Sequence, residues 1–111
     1  MKKDHIGEFE ELILLIILLL KEDAYGLAIR SALQEQANRT VTIGAVHGTV
    51  NRLEKKGLIT SQMGGATEER GGRRKRLFKI TAAGRKALLS ARDTRLYLWG
   101  QIPEFALNLR K

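Results

Sequence analysis

The chain has 111 residues, which on the usual prior of ~100 to 200 residues per domain makes one small domain and excludes a multidomain enzyme. Hydrophobic residues at 43% and charged residues at 29% are the mixture of a globular protein, neither disordered, collagen-like nor membrane-spanning. Twenty Lys+Arg against 12 Asp+Glu leave a formal charge of +8 and a pI near 10.2, which points to a polyanionic partner.

Cysteine is absent and histidine is limited to His5 and His47, so disulfide frameworks and Cys-type zinc sites are excluded and neither metal nor cofactor is expected. The charge is uneven. Residues 1–40 carry five basic and seven acidic side chains, residues 41–80 nine and three, and residues 81–111 six and two, so the middle third is where an anion would be drawn.

In chain order, the pattern predicts a first helix over about Glu8 to Lys21, with acidic residues in the first turn where the helix dipole favours them. Its nine apolar residues Leu12 to Leu20 are too few to span a bilayer at ~20 residues. As a leader it reads badly, because Glu8, Glu10 and Glu11 interrupt the basic start and Lys21-Glu22-Asp23 offers no small-residue cleavage site. A cytoplasmic protein with no membrane partner is expected. Asp23 can cap a second helix to about Ala37, with Tyr25, Ile29, Ala32 and Leu33 on one face. Thr42 can cap a third, in which Ile43, Val46, Val50 and Leu53 form the apolar stripe, and Gly57 ends it.

Leu58 to Met63 and Arg74 to Ile80 read as strands, joined by the glycine-rich segment Gly64 to Gly72 as a hairpin with a mobile, basic tip. That segment lacks the G-x-x-x-x-G-K-[ST] spacing of a phosphate-binding loop. Thr81 can cap a last helix reaching Trp99 and Gly100; Pro103 either ends it near Gln101 or kinks it before it resumes through Ala106 and Leu109. The fold class is therefore mainly α with a small β-hairpin (α+β). The element order is that of a winged helix-turn-helix over residues 1–81 with a C-terminal dimerisation helix over 82–111.

In such a fold the third helix enters the major groove and the hairpin touches flanking backbone. Opposite the apolar stripe stand Gly44, Ala45, Gly48, Asn51, Arg52 and Lys55, with His47 and Thr49 on the flanks and Thr42 at the cap. Each exposed glycine forgoes roughly 1 kcal/mol of helix propensity relative to alanine. Close approach to a groove is one compensation, with Asn51, Arg52 and His47 reaching bases or phosphates; a partly irregular first turn is the other. Arg70, Arg73, Arg74, Lys75, Arg76 and Lys79 put six cations within ten residues, a density that suits phosphate neutralisation better than a merely solvated loop.

These segments together resemble the PadR family of bacterial transcriptional regulators over about residues 6–90. The resemblance rests on Gly7-Glu8-Phe9-Glu10-Glu11-Leu12, Ala24-Tyr25-Gly26, Ile43-Gly44-Ala45-Val46 with Arg52-Leu53-Glu54, Gly57-Leu58-Ile59, and Glu69-Arg70-Gly71-Gly72-Arg73-Arg74-Lys75-Arg76 before Ile80-Thr81-Ala82-Ala83-Gly84. It implies a homodimeric winged-helix DNA-binding protein, usually a repressor, released from DNA by phenolic or other hydrophobic small molecules. The family usually has Tyr-Pro where this chain has His47-Gly48, so an imidazole stands in for a hydroxyl that would contact the DNA backbone.

A dimer also follows from the residues. Leu12 to Leu20 is apolar on every face, whereas a helix on the outside of a monomer needs one stripe. Leu12, Leu15, Ile16 and Leu19 of the first helix, and Leu89, Leu96, Trp99, Ile102, Ala106 and Leu109 of the last, are the expected interface. Two-fold symmetry would present the recognition helices to half-sites about one DNA turn (~34 Å) apart, on a pseudo-palindromic double-stranded operator. Trp99 could stack on a flat effector between subunits, although a tryptophan among leucines also reads as packing. Two other readings of the same charge are a basic RNA-binding protein and a winged-helix protein-interaction module; the first is disfavoured because only Phe78 is aromatic in the basic region. No carboxylate pair, Ser/His/Asp set or metal-ligand cluster stands at useful spacing, so an enzyme is not expected.

Overall fold

The computed structural model describes residues 5–66 and 74–108. Helix α1 spans Glu8–Leu20, and a 3-10 turn follows at Lys21–Asp23. Helix α2 spans Gly26–Ala37 and α3 Ile43–Lys55; strands β1 (Ile59–Ala66) and β2 (Arg74–Ile80) follow, then helix α4 (Ala82–Gln101) and a 3-10 turn at Glu104–Leu107. Glycine-rich residues 67–73, including Arg70 and Arg73, lie outside the described residues, as does Leu109.

Two of the expected caps form. The Thr42 hydroxyl accepts from the Ala45 N–H at 3.0 Å, and the Thr81 hydroxyl from the Gly84 N–H at 3.0 Å, each satisfying a donor that helix geometry leaves unpaired. Gly57, at φ +77°, takes the left-handed conformation after α3 and lets the Leu58 N–H reach back to the Leu53 carbonyl at 2.9 Å. Asp23 does not cap α2; Tyr25 stands at the N-cap in extended conformation. The cause is tertiary. The Phe78 N–H donates to the Ala24 carbonyl at 2.8 Å and Tyr25 forms an isolated antiparallel bridge with Leu77, so residues 24–25 are held beside β2 and the helix cannot start before Gly26.

The strands pair antiparallel from Ile59 opposite Ile80 to Ala66 opposite Arg74, with an irregularity in register between Met63 and Ala66. The core is Ile13, Leu14 and Ile17 of α1, Ile29 and Leu33 of α2, Val46, Val50 and Leu53 of α3, then Leu58, Ile59, Phe78 and Ala87, all buried. Taking each large side chain out of water contributes about 1.5–3 kcal/mol before conformational entropy is charged against it. At Gly84 the α4 backbone lies against the start of β1 so closely that a Cβ would sit 2.1 Å from the Leu58 carbonyl oxygen.

The last helix ends at Gln101; Pro103 lets no more than a short 3-10 turn follow, so the kinked continuation is not taken. Ala87 and Leu88 belong to the core, whereas every described residue from Arg92 onward is exposed. Among the described residues no helix is long and apolar enough to cross a membrane.

Candidate nucleic-acid interface

Helix α3 presents Gly44, Ala45, His47, Gly48, Asn51, Arg52 and Lys55 to the outside, with Thr42 at its start, as its apolar stripe requires. Thr49, placed on a flank by the helical wheel, is buried instead and accepts from Arg52 Nη2 at 3.1 Å. His47 lies over the first turn of α2, where a methyl group at Gly26 would come within 3.2 Å of its Cε1. Neither Gly44 nor Gly48 is demanded by the protein's own packing. A Cβ at Gly44 would find Thr42 Oγ1 at 3.8 Å, and one at Gly48 would find Arg52 Nη1 at 4.0 Å.

The cations of β2 divide by destination. Arg74 is exposed, and its guanidinium donates to the carbonyl of Gly64 at 3.0 Å. Lys75 holds its ammonium 4.4 Å from the centroid of the Tyr25 ring. Arg76, expected beside Arg74 as a phosphate contact, is committed within the protein. Its Nη2 pairs with Glu54 Oε1 at 2.6 Å, Nη1 donates to Asn51 Oδ1 at 3.2 Å and Nε to Ser61 Oγ at 3.3 Å. Its guanidinium also lies 4.9 Å from the centre of the Phe78 ring. The wing and α3 are thereby joined through side chains.

A second polar cluster sits at the start of α1, and sequence reading missed it. Glu10, a buried carboxylate, accepts from the Gly7 N–H at 3.0 Å and from Lys56 Nζ at 3.0 and 2.9 Å, with Arg52 Nε 3.7 Å away. Burial pushes this carboxyl up, but the Gly7 N–H, the Lys56 ammonium and the Arg52 charge together outweigh it and hold the group below the usual glutamate range. Arg52, expected to read bases, thus leans toward Glu10 of α1 and toward Thr49 one turn back in its own helix. The neighbouring Glu11 pairs with Arg95 of α4, and Glu8 with Arg39 after α2 at 2.7 Å. The Arg39 hydrogen bond lowers the Glu8 carboxyl. Acidic residues at a helix start were legible as dipole partners, but spacing along one chain carries no signal for cations that arrive from three other elements.

Helices α1 and α4 expose apolar residues. Leu15, Leu18 and Leu19 stand out from α1, and Leu89, Leu96, Tyr97, Leu98 and Trp99 from α4. Between them runs a cleft of about 320 Å³ lined by Leu15, Leu18, Leu88 and Leu89 with Glu11, Arg85 and Arg92 at its edges. Two expected interface residues change standing. Ile16 is 5% exposed and belongs to the core of its own subunit, and Leu12 is half-buried. Because α4 stops at Gln101, the exposed Ile102 and Ala106 lie beyond it and do not continue the stripe of Leu96 and Trp99.

The model of the transcriptional regulator PadR-like family matches residues 14–90, well over half of the chain. The chain belongs to that family. It is therefore a transcriptional regulator of the DNA-binding kind, a class of proteins that are not enzymes. A PadR-like transcription factor from Bacteroides fragilis is 27% identical, with 85% of each chain covered and a TM-score of 0.69. A PadR family transcription regulator from hypervirulent Clostridium difficile R20291 is also 27% identical, covering 86% of this chain and 97% of that one at a TM-score of 0.65. The Aeropyrum pernix ORC1 protein, solved in complex with DNA, shares the fold at 23% identity and a TM-score of 0.62, over 85% of this chain and 27% of that one. No curated protein matches. In the PadR-like frame, α2 and α3 are the helix-turn-helix and β1 with β2 the wing.

Proposed function

We propose that two copies of this chain pair through the exposed apolar residues of α1 and α4 and lay both α3 helices into successive major-groove turns of a pseudo-palindromic operator. The dimer acts as a cytoplasmic repressor that a flat hydrophobic compound releases. Residues 1–81 make the DNA-binding unit and α4 from residue 82 the dimerising helix, its free part beginning near Arg92.

The observation that carries this is the division of exposed residue types between elements. Glycines and cations stand exposed on α3 and β2, and Leu15, Leu18, Leu19, Leu89, Leu96, Leu98 and Trp99 stand exposed on α1 and α4 with no cover from their own chain. Thr42, Gly44, Ala45, His47, Gly48 and Asn51 take the groove. Lys55, Arg74 and Lys75, with Arg70 and Arg73, take the phosphates, while Arg52 and Arg76 act from their intramolecular pairs. Leu15, Leu19, Leu89, Leu96 and Trp99 meet their symmetry mates, and Trp99 is the platform for the effector. Repression and effector release come to this chain from its family.

Sedimentation together with selection from random duplex DNA tests the proposal. A dimer that enriches an inverted repeat with half-sites one helical turn apart is the expected result. A monomer at micromolar concentration, or affinity for structured RNA that exceeds affinity for duplex DNA at matched salt, overturns it. For the effector, saturable quenching of tryptophan fluorescence and loss of the DNA complex at the same concentrations are expected, and Trp99→Ala should keep its DNA complex at those concentrations; release unchanged in that variant overturns the effector role of Trp99.

A further inference from the structure

We propose that Arg76 is a specificity-determining positioning residue: from the wing it fixes the orientation of the Asn51 amide and so decides which hydrogen-bonding group α3 offers to the base edges. This rests on the reading that α3 enters the groove, and it assigns Arg76 a role other than phosphate binding.

All three guanidinium nitrogens of Arg76 are used inside the protein. Nη2 is 2.6 Å from Glu54 Oε1, Nη1 is 3.2 Å from Asn51 Oδ1, and Nε is 3.3 Å from Ser61 Oγ. The Ser61 hydroxyl in turn donates to Glu54 Oε2 at 2.9 Å, which closes a network across β1, β2 and α3. The Phe78 ring beneath the guanidinium supports its plane. Arginine has donors and no acceptor, so the group Asn51 turns toward it must be the amide oxygen. The two N–H donors of Asn51 are then left for the exposed side of α3. An amide free to flip would offer donor or acceptor with little preference; one held by Arg76 presents donors, which suit the purine N7, guanine O6 and thymine O4 acceptors of the major groove. Lysine cannot reproduce three donors fixed in a plane.

The test starts with wild-type protein and selection from random-sequence duplex DNA, followed by binding to the selected duplex and its single-base-pair variants. Wild-type protein that binds no duplex, or binds all duplexes alike, removes the groove reading itself, a failure visible before any variant is made. Given a selected site, Asn51→Ala locates the base pair that Asn51 reads. Arg76→Lys and Glu54→Gln disturb the network from opposite ends, and each is expected to lower the preference at that same base pair on the order of tenfold. Arg76→Lys keeps the charge, so the salt dependence stays as in wild type; Glu54→Gln removes a negative charge, so affinity for random duplex is unchanged or higher. Combined with Asn51→Ala, Arg76→Lys adds no further loss, because both act through one contact. Melting temperatures of the free proteins identify any variant that fails to fold, and the other then carries the measurement. Uniform weakening on all sequences, a flatter salt dependence in Arg76→Lys, unchanged preference, or additive loss in the double variant would overturn the proposal.

Discussion

Replacing Gly48 by alanine should make the protein more stable and a poorer DNA binder. Gly48 lies inside the 13-residue α3, and a Cβ there meets nothing nearer than Arg52 Nη1 at 4.0 Å. No positive backbone angle opposes the change, since Gly57 is the glycine for which one is recorded among the described residues. The folded chain should therefore gain close to the full glycine-to-alanine difference of about 1 kcal/mol. For a domain of this size that raises the melting midpoint by roughly 4–8 °C. On DNA the sign reverses. If the α3 backbone rests against the groove floor, a methyl group there holds the helix off by on the order of 1 Å, enough to stretch hydrogen bonds of ~2.9 Å beyond useful length. Losing one good base contact costs about 1–3 kcal/mol, so affinity for the selected operator should fall roughly tenfold. Thermal melting without DNA and fluorescence anisotropy with the operator duplex read the two effects separately. A stabilised Gly48→Ala that binds within twofold of wild type would refute close approach and leave Gly48 as a merely tolerated glycine.

Gly84→Ala should behave oppositely, because its Cβ falls 2.1 Å from the Leu58 carbonyl oxygen that also accepts from the Thr81 N–H; overpacking costs about 1–3 kcal/mol or more against a propensity gain of about 1, and denaturant unfolding should show net destabilisation. Glu10→Gln should flatten the acid limb of stability. The Glu10 carboxyl is depressed in the folded state, so its contribution is complete above the unfolded glutamate value and is lost as pH falls through the folded one. Urea titrations from neutrality to pH 3 should therefore show a steeper loss in wild type, and parallel curves would disprove the role. Leu89→Glu, on the exposed edge of the α1–α4 cleft, should leave the monomer folded, abolish the dimer by sedimentation and weaken operator binding at least tenfold; an unchanged dimer would place the interface elsewhere.

What sequence alone determined here is local. Thr42 and Thr81 cap helices because a hydroxyl two or three residues from a free N–H needs no other part of the chain, and Gly57 ends α3 for a reason confined to its own backbone. The apolar stripes of α2 and α3, the hairpin and the PadR-like order of elements follow from the same short-range periodicities. Asp23 looked as good a cap as Thr42, yet the pairing of Ala24 and Tyr25 with β2 kept the chain extended past it, and β2 lies some fifty residues downstream. Adjacent residues of α1 parted in the same way: Ile16 went into the core and Leu15 stayed outside once α2, α3 and β2 had taken one side of a helix apolar all round. Arg74 and Arg76 share charge, strand and face, but Glu54 and Asn51 on α3 stand within reach of one and not the other. Charge and periodicity are properties of neighbouring residues, whereas the partner that a long cationic side chain reaches depends on how separate elements are brought together, and that was settled only by the packed fold.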